Sequence, residues 1–170
     1  MIEWCKNDKL SVFFDDVPSV GIRYYLPSMT DKEKESVRKY PFICRKALDV
    51  AIFDHKKKLR YKFTIPKDYC FDGATIPRLF WRLVGSPTDN KFLIAALVHD
   101  MLCQFHECVG YDRALSTNVF NSLLEAGGVN PVNRFLMKNS VACFQTIVGK
   151  WKFKGIEVRT EIDDNGEICK

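Results

Sequence analysis

The chain has 170 residues, 46% of them hydrophobic and 28% charged, and its 26 Lys and Arg against 21 Asp and Glu leave a net charge of +5. That size and balance fit one globular unit that can bury a core without staples, and they exclude a fibrous or disordered chain. No apolar run reaches the ~18 residues needed to span a bilayer, and the seven cysteines are odd in number with no C-x-x-C spacing, which argues against a disulfide framework.

The first residues, Met1-Ile2-Glu3-Trp4-Cys5-Lys6, lack the basic and apolar regions of a signal peptide, so a cytosolic setting is expected. Leu10–Phe14 and Val20–Leu26 are rich in aromatic and β-branched residues and read as irregular β structure. Thr30 with Glu33 makes a capping box for a short charged helix over Asp31–Lys39. Leu48–Phe53 and Leu59–Ile65 alternate apolar and polar, with Leu59, Tyr61, Phe63 and Ile65 on one face, and predict an antiparallel hairpin that Pro66 stops.

The next stretch, Asp72-Gly73-Ala74-Thr75-Ile76-Pro77, is a tight polar turn leading into a short aromatic helix. The helix over 91–105 is apolar nearly all round, which places it at the centre of the fold. Two more helices follow. The first runs over Arg113–Ala126, with a stripe of Leu115, Val119, Phe120, Leu123 and Leu124, and Gly127-Gly128 end it. The second starts at Asn130-Pro131 and runs to about Val148, with Phe135, Leu136, Val141, Phe144, Ile147 and Val148 expected inward. The tail can close a hairpin around Asp164-Asn165-Gly166, from Ile156–Ile162 to Glu167–Cys169.

The fold class that follows is α+β. An antiparallel N-terminal β portion packs on a C-terminal half of three to four helices, with the 91–105 helix central. Residues 1–58 form a β-rich extension, 59–149 the α+β core and 150–170 a tail or hairpin, all within one globular unit.

His99 and Asp100 stand in the middle of the apolar helix, about 100° apart around its axis. Buried polar groups need partners, and the Asp72 turn is the nearest supplier in sequence. Asp72, Thr75, His99 and Asp100 are therefore the candidate site residues. One arrangement is a structural network, in which a carboxylate takes backbone N–H groups of the turn and His99 meets the Thr75 hydroxyl. A second is a divalent-metal site with Asp72, His99 and Asp100 as ligands and a bound water as nucleophile. A third is a zinc site using His99, Cys103, His106 and Cys108. A Cys70–His99 nucleophilic pair has no local support, and no P-loop, G-x-G-x-x-G or G-x-S-x-G occurs.

The residues Phe63-Thr64-Ile65-Pro66, Asp72-Gly73-Ala74-Thr75-Ile76-Pro77-Arg78, Val98-His99-Asp100, Phe120, Leu124 and Gly128-Val129 together resemble the domain of unknown function thirteen fifty-three, a family widespread in tailed bacteriophages and prophages. The resemblance covers about residues 59–149. The family pattern has an Asp three residues before the Phe, where this chain has Thr117 after Ser116, and an aromatic after the His-Asp pair, where it has Met101. If that Asp ligates a metal in the family, this chain lacks the ligand.

The resemblance implies a phage protein, found in the virion or in the host cytoplasm during infection. Three functions follow as expectations. The first and preferred one is a virion structural or assembly component of the tail, connector or neck, with other phage proteins as partners. The second is a metal-dependent hydrolase. The third is a basic module binding a host protein or nucleic acid through Lys56, Lys57, Lys58, Arg60 and Lys62.

Overall fold

The computed structural model describes residues 1–73, 90–104, 113–147, 161–162 and 168–169. The architecture is α+β, with antiparallel sheets in the N-terminal half and three described helices in the C-terminal half. Strands β1 (Ile2–Lys6), β2 (Leu10–Phe14), β5 (Leu48–Asp54) and β6 (Leu59–Ile65) form one sheet in the order β1-β2-β5-β6. Strands β3 (Val20–Ile22), β4 (Phe42–Cys44) and β7 (Cys70–Phe71) form a second, with β4 central. Helix α1 (Asp31–Lys39) joins β3 to β4, and α2 (Asn90–Gln104), α3 (Arg113–Ala126) and α4 (Pro131–Ile147) follow.

Period-two alternation sets the inward face of the first sheet. Leu10, Val12 and Phe14 on β2, Leu48, Val50 and Ile52 on β5, and Phe63 and Ile65 on β6 are all buried in one core cluster with α2 and α3. The predicted β5–β6 hairpin forms, with Leu48 opposite Ile65 and Val50 opposite Phe63. Its register shifts between Ile52 and Phe53, so Phe53 faces Leu59 and Arg60 is the extra residue. That shift takes Leu59 off the inward face expected for it, and it is 43% exposed.

The strand expected over Val20–Leu26 stops at Ile22. Its partner β4 is three residues long, and Arg23 is drawn elsewhere. The Arg23 guanidinium donates to the carbonyls of Tyr40 at 2.9 Å and Ser36 at 3.3 Å, satisfying the open C-terminal end of α1. Tyr24, Tyr25 and Leu26 are left exposed. No strong alternation announces strands β1, β4 and β7; β1 pairs with β2, and β4 pairs with both β3 and β7.

The Thr30–Glu33 capping box is present. The Glu33 carboxylate accepts from the Thr30 backbone N–H at 2.7 Å, and the Thr30 hydroxyl accepts from the Glu33 N–H at 3.3 Å. Thr30→Ala is expected to cost about 1 kcal/mol, read as a lower urea midpoint with an unchanged denaturant slope.

Helix α2 is buried on nearly every side from Phe92 to Cys103 and so occupies the centre. Helix α3 packs against α2 on one flank, and β1 and β2 meet it on another. Asn7, in the β1–β2 turn, donates to Ser122 on α3 at 2.6 Å. Gly128 has φ +76° and closes α3, with the Val129 N–H reaching back to the Leu124 carbonyl at 3.0 Å. On α4 the inward face is set by Met137 and Val141, and Phe135 is 66% exposed, contrary to the expectation for it. Arg134 shares the Met137 face at helical spacing and pairs with Glu125 of α3 at 2.6 Å, which holds α4 in that rotation. The side chains of Phe144 and Ile147, and all of Val148, lie outside the described residues. The tail contains the expected hairpin pairing over β8 (Glu161–Ile162) and β9 (Ile168–Cys169), with Ile162 opposite Ile168.

Candidate functional site

The candidate residues come together where β7 leaves its sheet and meets the middle of α2. Tyr69 and Phe71 point into the core from alternate positions, with their rings stacked at 6.3 Å. Phe71 packs in turn on Phe42, with ring centroids 5.6 Å apart. This anchors the chain just before Asp72. Gly73 follows at φ +83°, a conformation that L side chains rarely adopt. A Cβ there would lie 2.6 Å from Cε2 of Phe42, so the turn is pressed directly on the aromatic layer.

Asp72 thereby reaches Asp100. The Asp72 backbone N–H donates to the Asp100 carboxyl, and the two side-chain carboxyls share a hydrogen bond. Such a bond requires a proton between them, because two carboxylates in contact cannot both ionise cheaply. Asp100 is buried, and burial pushes its carboxyl up to about 7, against the opposing pull of the two bonds to Asp72. Its Oδ2 has no hydrogen-bond partner among the described residues.

His99 is buried beside it, with Nδ1 at 3.7 Å from Asp100 Oδ1, too long for a hydrogen bond. Burial holds the imidazole down to about 4, with the nearby Asp72 charge acting in the opposite sense. Imidazole and carboxyl are both driven toward their neutral forms, so the contact is not an ion pair. The Cys103 thiol sulfur, one turn along α2, lies 3.4 Å from His99 Nε2. The Phe120 ring of α3 covers the imidazole at 5.1 Å. Burial, and next the charges of Asp100 and Asp72, hold the Tyr69 phenol well above its usual range, so it remains a protonated donor.

Asp72, His99 and Asp100 are thus neighbours, while Thr75 lies outside the described residues, as do His106 and Cys108 of the zinc alternative. The Cys70–His99 pair does not form. Strand alternation turns Cys70 away from Tyr69 and Phe71, and its thiol donates to the Asp68 carbonyl at 3.3 Å. Among the described residues no group of three or more His, Cys, Asp or Glu side chains is arranged to hold a metal ion. Tyr69 and the Phe120 ring were not anticipated, whereas His99 and Cys103 were expected to share a helix face. Thr117 is buried one turn before Phe120, on the same face of α3.

The arrangement sets Asp72, at the end of β7, against Asp100 and His99 in the middle of the central helix, with burial driving the imidazole and the Asp100 carboxyl toward their neutral forms. Elsewhere on the chain, the basic residues sit at the tip and edge of the β5–β6 hairpin, with Lys56, Lys57, Lys58, Arg60 and Lys62 all exposed. Among the described residues no helix is long and apolar enough to cross a membrane.

Comparison with known proteins adds lineage. The chain is 33% identical over 51 residues to Uncharacterized protein y4jT of Sinorhizobium fredii (strain NBRC 101917 / NGR234), a match that spans 30% of this chain and 15% of that protein. No solved structure matches the chain significantly. The family match runs over residues 48–141, from the start of β5 into α4, and takes in the whole Asp72–His99–Asp100 cluster. With more than half of its length so matched, the chain belongs to the family described as Protein of unknown function (DUF1353).

Proposed function

We propose that the chain is a bacteriophage protein that serves as a structural or assembly component of the virion, at the tail, connector or neck, with other phage proteins as partners. The burial of the polar cluster carries this reading. His99 and Asp100 are 8% and 5% exposed, and burial drives both toward their neutral forms, which suits a network that locks a fold more than one that meets substrate. The family supplies the phage lineage as a resemblance. Mass spectrometry of purified particles from the phage that encodes the chain is expected to find it in stoichiometric amounts. Absence from particles that package and infect normally overturns the reading.

A second reading, a divalent-metal hydrolase using Asp72, His99 and Asp100, has one observation in its favour. Asp100 Oδ2 is buried without a hydrogen bond beside a neutral imidazole and a second carboxyl. A cation could replace the shared proton and take that oxygen. Protein purified without chelators would then carry near-stoichiometric metal by elemental analysis, and Thr117→Asp would tighten its binding. Metal-free protein whose melting temperature is unmoved by added zinc or manganese ends this reading.

A further inference from the structure

The second sheet ends on β3, and that edge is open. The Arg23 N–H donates to the Pro41 carbonyl at 2.8 Å, and the Arg45 N–H donates to the Ser19 carbonyl at 2.8 Å. In the β3–β4 ladder the odd-numbered residues therefore turn their backbone groups toward β4. The N–H and C=O groups of Val20, Ile22 and Tyr24 point away from the sheet, and they meet no partner among the described residues. Pro41 has no N–H to return to Arg23, so the ladder ends there although the residues up to Leu26 favour a strand.

The side chains of this edge are apolar on one face. Val20 and Ile22 stand opposite Cys44 and Phe42, which are both buried, so they share the inward face of the sheet. Val20 packs on the core, but Ile22 is 40% and Tyr24 70% exposed, because the sheet stops before covering them. Edge strands are usually guarded by charge. In the first sheet, β1 carries Glu3 and Lys6, and β6 carries Arg60 and Lys62. Between Pro18 and Pro27 there is no Lys, Asp or Glu, and Arg23 turns its guanidinium back onto the end of α1. The Arg45 guanidinium lies over Gly21, on the opposite face from Val20 and Ile22.

We infer that β3 of one copy of this chain pairs antiparallel with β3 of a second copy, about a two-fold axis at Ile22. Ile22 then faces the partner's Ile22, and Val20 and Tyr24 face each other twice. Each of these residues offers an outward N–H and C=O, so every such pair can exchange both backbone bonds. The two three-stranded sheets become one of six, and the inward apolar face runs on across the axis over Ile22 and Tyr24. A second copy is the occupant that suits this edge because the strand is its own complement. Apolar residues meet apolar residues, no like charges are opposed on that face, and the isologous contact closes at two copies.

The purified full-length chain tests this, and the outcome does not depend on whether virions contain it. Sedimentation equilibrium across a concentration series is expected to show a monomer–dimer equilibrium. Ile22→Lys with Tyr24→Lys places like charges across the axis and should weaken association by about tenfold or more. Ile22→Pro removes an outward N–H without touching the bonds to β4, and should weaken it in the same direction. Val132→Lys with Phe135→Lys, on the exposed apolar face of α4, should leave it unchanged. Circular dichroism should give each variant the wild-type helical signal, since the substituted side chains are exposed. A wild type that stays monomeric up to millimolar concentration overturns the inference. So does a dimer that both β3 variants leave intact, or one that only the α4 variant weakens, which would assign the contact to α4.

Discussion

Replacing Asp100 with Asn is expected to make stability climb with pH, relative to the parent, between about pH 4 and pH 6.5. His99 and Asp100 contribute opposite slopes there. The folded imidazole is held down to about 4 from 6.5, so between those values the unfolded chain binds a proton that the folded chain does not, and stability rises with pH. The folded Asp100 carboxyl is raised from 3.8 to about 7. It binds a proton that the unfolded chain has released, so its contribution is present below 3.8 and is lost as pH rises to 7. Each slope is about 1.4 kcal/mol per pH unit, and the two nearly cancel. Asp100→Asn removes the falling term and exposes the rising one, a span of roughly 3 kcal/mol over the window. His99→Gln does the reverse and should leave stability falling with pH. Urea unfolding of parent and variants at pH 4.5, 5.5 and 6.5 checks this through the differences, which cancel the other titrating groups. Differences that stay flat with pH would show that the two groups are not held neutral in the fold.

Gly73→Ala is expected to destabilise the chain by roughly 2–4 kcal/mol, through two separable causes. One is conformational, because φ +83° is unfavourable for a residue with a side chain. The other is steric. The new methyl would meet Phe42 Cε2 at 2.6 Å and Cδ2 at 3.0 Å, and that ring is buried against Phe71 and cannot swing aside. Gly128→Ala is the control. Its φ is +76°, yet no atom lies within 4 Å of the added carbon, so only the conformational cost of about 1 kcal/mol applies. Equal losses at the two glycines would refute the close packing of the turn on Phe42.

The central helix, the β5–β6 hairpin, the Thr30 cap and the Gly128 stop were legible from the residues, since each depends on a local rule: periodicity, capping or a left-handed glycine. The polar cluster was half legible. Two polar groups in an apolar helix require partners, and Asp72 was the nearest candidate. Which groups answered them was not local. Tyr69 enters because β7 pairs with β4 and turns that ring inward, and Phe120 enters because α3 lies against α2. The errors have the same origin. Phe135 reads as inward by hydrophobicity, but the Arg134–Glu125 pair and the Met137 contact rotate α4 and leave it exposed. Tyr24 to Leu26 read as strand by propensity, but the Arg23 guanidinium goes to the end of α1.

The amino-acid sequence by itself determined the α+β class, the family and the presence of one buried polar site, because patterning and motif are properties of neighbouring residues. Only the tertiary structure decided that Asp72 is hydrogen-bonded to Asp100, that burial drives His99 beside them toward its neutral form and that Cys103 and Phe120 enclose it. Proton affinity depends on burial and on groups distant in sequence, and both exist only once the turn at Gly73 has been pressed against the helix.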